Sequence, residues 1–207
     1  MLRLHKLSNT IKLTLSGLII AGLAGCASQS NYVQDGAPMN PRSSVSIDKI
    51  PNATPKAEPL SKYGNPATYY VDGKQYHVLK TALGYKQRGI ASWYGTKFQG
   101  RLTSSREPYN LYGMTAASRV LPIPCYVKVT NLENGRWVIV KVNDRGPFHA
   151  NRIIDLSYAA ATKLGYVNRG TAMVQVTSIN PHTWGRHSTS GHTRVTHHEL
   201  YLQIGAF

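Results

Sequence analysis

Only nine acidic residues occur among 207, so the four that fall in the most patterned stretch of the chain, Glu107, Glu133, Asp144 and Asp155, stand out as groups able to move protons. Two carboxyls in unlike surroundings, one kept neutral by partial burial and one ionised, can give a proton to a leaving oxygen and later accept one. Asp144 lies in Val142-Asn-Asp-Arg-Gly-Pro-Phe148, where the chain leaves a strand through Gly-Pro. Strand ends on a rigid scaffold are where catalytic groups are displayed. The alternative is a turn aspartate bonded to amides or paired with Arg145. Asp155 directly precedes a helical pattern and reads as a cap or an arginine partner. Glu133, in Asn131-Leu-Glu-Asn-Gly135, reads as a solvated turn residue.

The other reactive residue types promise less. The chain has two cysteines. Cys125 opens an alternating apolar segment with no histidine or acid beside it to activate a thiolate, so it reads as a small buried hydrophobe. Five of the eight histidines lie between His182 and His198 without acidic or cysteine companions at ligand spacing. That composition fits a solvated linker, and neither a metal nor a cofactor is expected.

The elements that must position these groups follow from periodicity. Thr68 to Val71 and Gln75 to Leu79 flank Asp72-Gly73 and read as a hairpin. Gly89 to Tyr94 reads as a strand, Tyr126 to Leu132 and Arg136 to Val142 as two more joined across Asn134-Gly135, and Thr171 to Ile179 as another. One helix is convincing, with Ser157 as N-cap, Tyr158 to Leu164 as body and Gly165 at its end. Several short strands, one short helix and many glycines predict a mainly β domain, a small closed barrel over residues 61–180.

The flanks carry different signals. Arg3, Lys6 and Lys12 precede an apolar run from Leu13 to Leu23, too short to cross a bilayer core, which reads as a signal peptide over residues 1–25. Leu23-Ala24-Gly25-Cys26 resembles the lipobox of bacterial lipoproteins. The resemblance makes Cys26 the lipidated first residue of the mature chain, and Ala27 after it implies the outer membrane. Residues 26–60, rich in Ser, Asn, Pro and Ala, read as a lipidated N-terminus and flexible tether. Residues 181–199 read as a polar linker, and residues 200–207 resemble the truncated start of a SPOR domain, a peptidoglycan-binding module. The formal charge of +15 falls to about +12 without the three basic residues of the signal. A basic surface in the cell envelope suits anionic wall polymer or lipid head groups, and no nucleic-acid motif appears, so nucleic acid is not an expected partner.

Gly89-Ile-Ala-Ser-Trp-Tyr-Gly95, Thr115-Ala-Ala117, Leu121-Pro122, Val129-Thr-Asn-Leu132, Val142 to Phe148 and Arg152-Ile-Ile-Asp-Leu-Ser-Tyr-Ala-Ala160 together resemble rare lipoprotein A, the septal-ring lytic transglycosylase family. The resemblance implies a six-stranded double-psi β-barrel with one or two short helices. It also implies an envelope location at the periplasmic face of the outer membrane and septal partners. The implied reaction is endolytic cleavage of stem-peptide-free glycan strands between N-acetylmuramic acid and N-acetylglucosamine, forming 1,6-anhydro ends. In the family pattern a glutamate, a histidine and an aspartate fall at Glu107, Ser118 and Asp144. The histidine is thus replaced by serine, which cannot carry a proton near neutral pH. Three neighbours also depart: Gln99 stands where histidine is common, Arg106 where glycine is common and Asn110 where aspartate is common. Arg106 is expected to hold Glu107 ionised. Trp93, Tyr94, Tyr109 and Tyr112 could offer flat faces to pyranose rings or serve as barrel core, and Arg145 is a further candidate for substrate contact. The altered site leaves an alternative of another class, a non-catalytic glycan-binding envelope lipoprotein, with an expansin-like wall-loosening role as its variant.

Overall fold

In the computed structural model, residues 35–38, 46–149 and 151–185 are described. The signal segment, Cys26, most of the histidine-rich stretch and the SPOR-like residues lie outside them. The predicted hairpin forms as β1 (Thr68–Val71) and β2 (Lys74–His77), paired antiparallel with Tyr69 opposite Tyr76. Asp72 and Gly73 take φ of 49° and 72°, the left-handed pair that lets a two-residue turn follow the strand twist.

Six further strands close a barrel: β3 (Lys86–Tyr94), β4 (Thr115–Ala117), β5 (Cys125–Asn131), β6 (Trp137–Asp144), β7 (Arg152–Ser157) and β8 (Ala172–Ile179). Their order around the barrel is β3-β7-β4-β6-β5-β8. The β3–β7 and β4–β6 pairs are parallel and the remaining pairs antiparallel. Closure leaves no open sheet edge. The antiparallel strands matched the periodic reading to within a few residues. The strands β4 and β7 carry no periodic signal in the sequence. One is three residues long and the other, Arg-Ile-Ile-Asp-Leu-Ser, has no clean alternation, because both are defined by pairing with distant chain.

The core is built from β-branched residues, among them Val127, Val129, Val138, Val140, Val142 and Val174, all fully buried. Each contributes about 1.5–3 kcal/mol relative to exposure. Helix α1 (Tyr158–Leu164) lays Ala159, Ala160, Ala161 and Leu164 against this core, and its alanines permit close approach. The expected caps are present. Ser157 Oγ accepts from the Ala160 amide at 3.2 Å, and Gly165, at φ 76°, sends its N–H back to the carbonyls of Ala161 and Thr162.

Residues 46–60, expected as part of the tether, instead lie along the barrel. Ala53 N–H donates to the Ile139 carbonyl at 3.0 Å, and Asn52 Oδ1 accepts from the Ile139 amide at 3.1 Å. Ile47, Ile50 and Ala53 pack against the core, and Lys163 Nζ donates to the Ile50 carbonyl. Pro, Ser and Asn content marked this stretch as unable to form its own core. It did not show that single apolar residues could dock on another element's core. Among the described residues no helix is long and apolar enough to cross a membrane.

Candidate active site

Asp144 ends β6 and is fixed by the loop that precedes β4. Its Oδ1 accepts from the Ser104 amide at 2.8 Å, the Ser104 hydroxyl at 2.7 Å and the Arg145 amide at 2.8 Å. Oδ2 makes no hydrogen bond among the described residues. The carboxyl is therefore held at one oxygen and open at the other. It lies in the wall shared by two adjoining clefts. One, of about 400 Å³, is lined by Trp93, Tyr94, Asp144, Arg145, Arg152 and Asp155 among others. The second, of about 420 Å³, lies towards the β1–β2 hairpin.

The helix cap falls to Ser157, while Asp155 pairs with an arginine, as expected, its Oδ2 standing 3.5 Å from Arg152 Nη2. Ser92 Oγ donates to its Oδ1 at 2.5 Å, and the side chain is only 14% exposed. Burial raises its pKa above the ordinary carboxylate value, although the Ser92 hydroxyl and the Arg152 charge pull the other way. Parallel pairing sets Asp155 beside Ser92 of β3 and antiparallel pairing sets it opposite Ala117 of β4. Nothing local in the sequence shows either.

Glu107 is not among the residues lining either cleft. Lys141 Nζ donates to its Oε1 at 2.8 Å and Asn143 Nδ2 to its Oε2 at 2.7 Å, while its carbonyl accepts from the Thr103 amide at 2.9 Å. Burial alone would raise the Glu107 pKa. The Asn143 and Lys141 contacts outweigh it, and the carboxyl sits below its ordinary value. The expectation that Arg106 supplies this cation is corrected: Lys141 does. The Arg106 guanidinium lies over the Tyr63 ring, 5.2 Å from its centroid. Arg106 also takes φ 70°, a left-handed conformation that suits the glycine expected by resemblance and is costly for a side-chain-bearing residue. Glu107 thus ties the 103–107 loop to β6, and that loop delivers Ser104 to Asp144.

Ser118 is next to Asp144 through the backbone, its N–H donating to the Asp144 carbonyl at 3.0 Å. Its side chain is turned into the chain. The hydroxyl accepts from the amides of Val120 and Leu121 at 3.3 and 3.2 Å, and the residue is 1% exposed. Arg145 directs its guanidinium to carbonyls: Nε to Gly64 at 2.7 Å, and Nη1 to Ser118 at 3.0 Å and Leu121 at 2.5 Å. Nη2 reaches Asn65 Oδ1 at 3.1 Å. These contacts clamp residues 64–65 onto the loop after β4. Gln99 and Asn110 likewise serve the backbone, accepting from the amides of Leu111 and Tyr112.

Among the aromatics, Trp93 and Tyr94 reach the cleft wall, and Trp93 Nε1 is anchored on the Val167 carbonyl at 3.2 Å. Tyr109 is 3% exposed. Its ring packs 4.1 Å from that of Tyr94, and its hydroxyl donates to the Tyr94 carbonyl at 2.5 Å, so it buttresses the wall from behind. Tyr112 lies edge-on to Tyr158. Cys125 is half-buried, and desolvation pushes its thiol up to about 12.

A closed six-stranded barrel with two parallel pairs and a helix after β7, here with a carboxyl-bearing cleft at the end of β6, defines the double-psi β-barrel class. Residues 86–176 match the family model described as "Lytic transglycolase". Its relatives are more particular. The chain is 51% identical over 164 residues to the endolytic peptidoglycan transglycosylase RlpA of Pseudomonas aeruginosa strain UCBPP-PA14, covering 79% of this chain and 47% of that protein. It is 50% identical over 162 residues to RlpA of Vibrio cholerae, covering 78% and 61%. With RlpA of Neisseria meningitidis strain MC58 it shares 54% over 130 residues, covering 63% and 54%. The resemblance read from the motifs is thereby borne out. The chain spans roughly half the length of the curated relatives it matches. Among solved structures, Streptomyces papain inhibitor matches with TM-score 0.39 and 24% identity, covering 49% of this chain and 100% of that one. That overlap is too slight to build on.

Proposed function

We propose that this chain is an endolytic peptidoglycan transglycosylase with Asp144 as its acid/base group. The observation that carries the reading is a carboxyl fixed at one oxygen and open at the other, in a cleft walled by Trp93 and Tyr94, within the segment that matches the family. The reaction passes a proton to the glycosidic oxygen leaving N-acetylmuramic acid. A second transfer takes the proton from the muramoyl six-hydroxyl, which closes on the anomeric carbon as a 1,6-anhydro ring. No water is consumed. Asp144 suits either transfer, and Asp155, whose pKa burial raises against the pull of Ser92 and Arg152, puts a second carboxyl in the same wall. Glu107, held ionised by Asn143 and Lys141, supports the loop that fixes Asp144. The substrate in this reading is glycan stripped of stem peptides. The chain works in the bacterial envelope, anchored through Cys26 at the periplasmic face of the outer membrane, with components of the division septum as partners.

One observation favours a second reading. The Ser118 hydroxyl is spent on the Val120 and Leu121 amides, which leaves no proton carrier where the family pattern has histidine. A non-catalytic lipoprotein that binds denuded glycan would keep the clefts and need no such group. Digestion of amidase-treated, peptide-free sacculi by the wild-type chain, Asp144→Asn and Asp155→Asn, with mass analysis of the released fragments, separates the two. Anhydro-ended fragments that vanish with Asp144→Asn support the enzyme. A protein that pellets with the glycan yet releases none is the binding module.

A further inference from the structure

The cleft on the hairpin side of Asp144 is not explained by holding the carboxyl. It is lined by Pro66, Tyr69, Val71, Ser104 and Phe148, together with Asp144 and Arg145. Asp144, Arg145 and Phe148 line the Trp93 cleft as well, so the two volumes meet at the carboxyl. The hairpin contributes through strand alternation: Tyr69 and Val71 share the face towards the cleft, while Tyr70 lies on the opposite face and is 67% exposed.

This wall is preorganised. Tyr69 stacks on Tyr76 at 5.3 Å and 26°, and Phe148 meets both rings edge-on at 6.3 and 5.7 Å. The Tyr69 hydroxyl donates to the Arg119 carbonyl at 2.8 Å, and the Leu79 amide to the Val120 carbonyl at 2.7 Å. Both contacts tie the hairpin to the loop after β4. Arg145 closes the other edge on the Gly64 carbonyl. An aromatic wall with a hydroxyl and a carboxyl at its foot matches a pyranose, which offers C–H faces to rings and hydroxyls to polar atoms. The hairpin precedes the 86–176 segment that the family model matches.

Building on the proposed function, we infer that the hairpin cleft is a second saccharide subsite, so that the glycan strand lies across Asp144 with sugars held on both sides of the scissile bond. A groove filled on both sides positions an internal bond, rather than a chain end, at the carboxyl.

The test uses the full chain with Cys26→Ser and Val71→Cys, before and after alkylation with a bulky aromatic maleimide. Cys125, half-buried with a raised pKa, is the slower thiol. Tyr70→Cys, on the outer face, is the labelled control. Binding is read by co-sedimentation with peptide-free sacculi, and cleavage by release of anhydro-ended fragments. Labelling at position 71 is expected to weaken glycan binding about tenfold or more, the weight of a lost stacking surface, and labelling at position 70 to leave it within about twofold. Because the protein folds before it is blocked, misfolding does not imitate the result. Unchanged binding after labelling at position 71 overturns the subsite. Wild-type protein that binds without releasing anhydro ends overturns the proposed reaction alone, and the subsite is then judged on binding. Wild-type protein that does not bind peptide-free glycan overturns both.

Discussion

Replacing Lys141 with methionine removes one cation from between two carboxylates while keeping most of the side-chain stem. Lys141 Nζ stands 2.8 Å from Glu107 Oε1 and 3.3 Å from Glu58 Oε2, and the Tyr126 hydroxyl donates to the other oxygen of Glu58. The side chains of Lys141 and Glu107 are 21% and 45% exposed, so bulk Coulomb values must be discounted heavily for solvent screening. One charged hydrogen bond and one weaker pair, so discounted, amount to about 1–2 kcal/mol. In a domain of this size that is a melting shift of roughly 2–4 °C per kcal/mol. The pH dependence gives the sign. Burial raises the Glu107 pKa, but the Asn143 and Lys141 contacts lower it further, so its contribution is present above the unfolded carboxylate value and is lost as pH falls through the folded one. Burial lowers the Lys141 pKa, but its carboxylate partners raise it further, so its contribution is present below the ordinary lysine value of 10.5 and is lost as pH rises through the folded one. The gap between wild type and Lys141→Met is therefore widest between the two ranges and closes as Glu107 protonates. Thermal or urea unfolding from pH 3 to 9, with Glu58→Gln added to both backgrounds, measures it. A gap that stays constant down to pH 3 would mean that it does not arise from the charge pairing of Lys141 with Glu107.

Arg145→Met removes the guanidinium from the Gly64, Ser118 and Leu121 carbonyls and from Asn65 Oδ1, which keeps only the Ile123 amide. It should cost about 2–4 kcal/mol in urea unfolding, and a loss under about 1 kcal/mol would show that the clamp is replaced by water. With its thiol pushed up to about 12 from an ordinary value of 9.0, Cys125 should alkylate about a thousandfold more slowly than a free cysteine at pH 7. Peptide-resolved iodoacetamide labelling checks this, and labelling at the free-thiol rate would mean that β5 opens readily at its start.

Legibility followed the range of the interactions. The strands with period-two alternation and the capped helix 158–164 were readable because each is specified within a few consecutive residues: Asp72-Gly73 turns the hairpin, Ser157 and Gly165 bound the helix. Asp144 was readable for the same reason, since a strand leading into Asn-Asp-Arg-Gly-Pro announces a displayed side chain. Strand β4, three residues long, has no period to detect, and the docking of residues 46–60 depends on Ile47, Ile50 and Ala53 finding a core they do not make.

By itself, then, the sequence determined the hairpin, the alternating strands, the capped helix, the family resemblance and the candidate carboxyl Asp144, because these are local patterns of side-chain alternation, turn chemistry and motif order. Only the tertiary structure decided what each candidate touches. It turned the Ser118 hydroxyl into its own loop, directed the Arg145 guanidinium to three carbonyls, gave Glu107 to Lys141 rather than Arg106, and brought Asp155 into the wall that Asp144 shares. Those outcomes rest on the register of strands brought together by barrel closure, where a one-residue slip would turn every side chain to the other face.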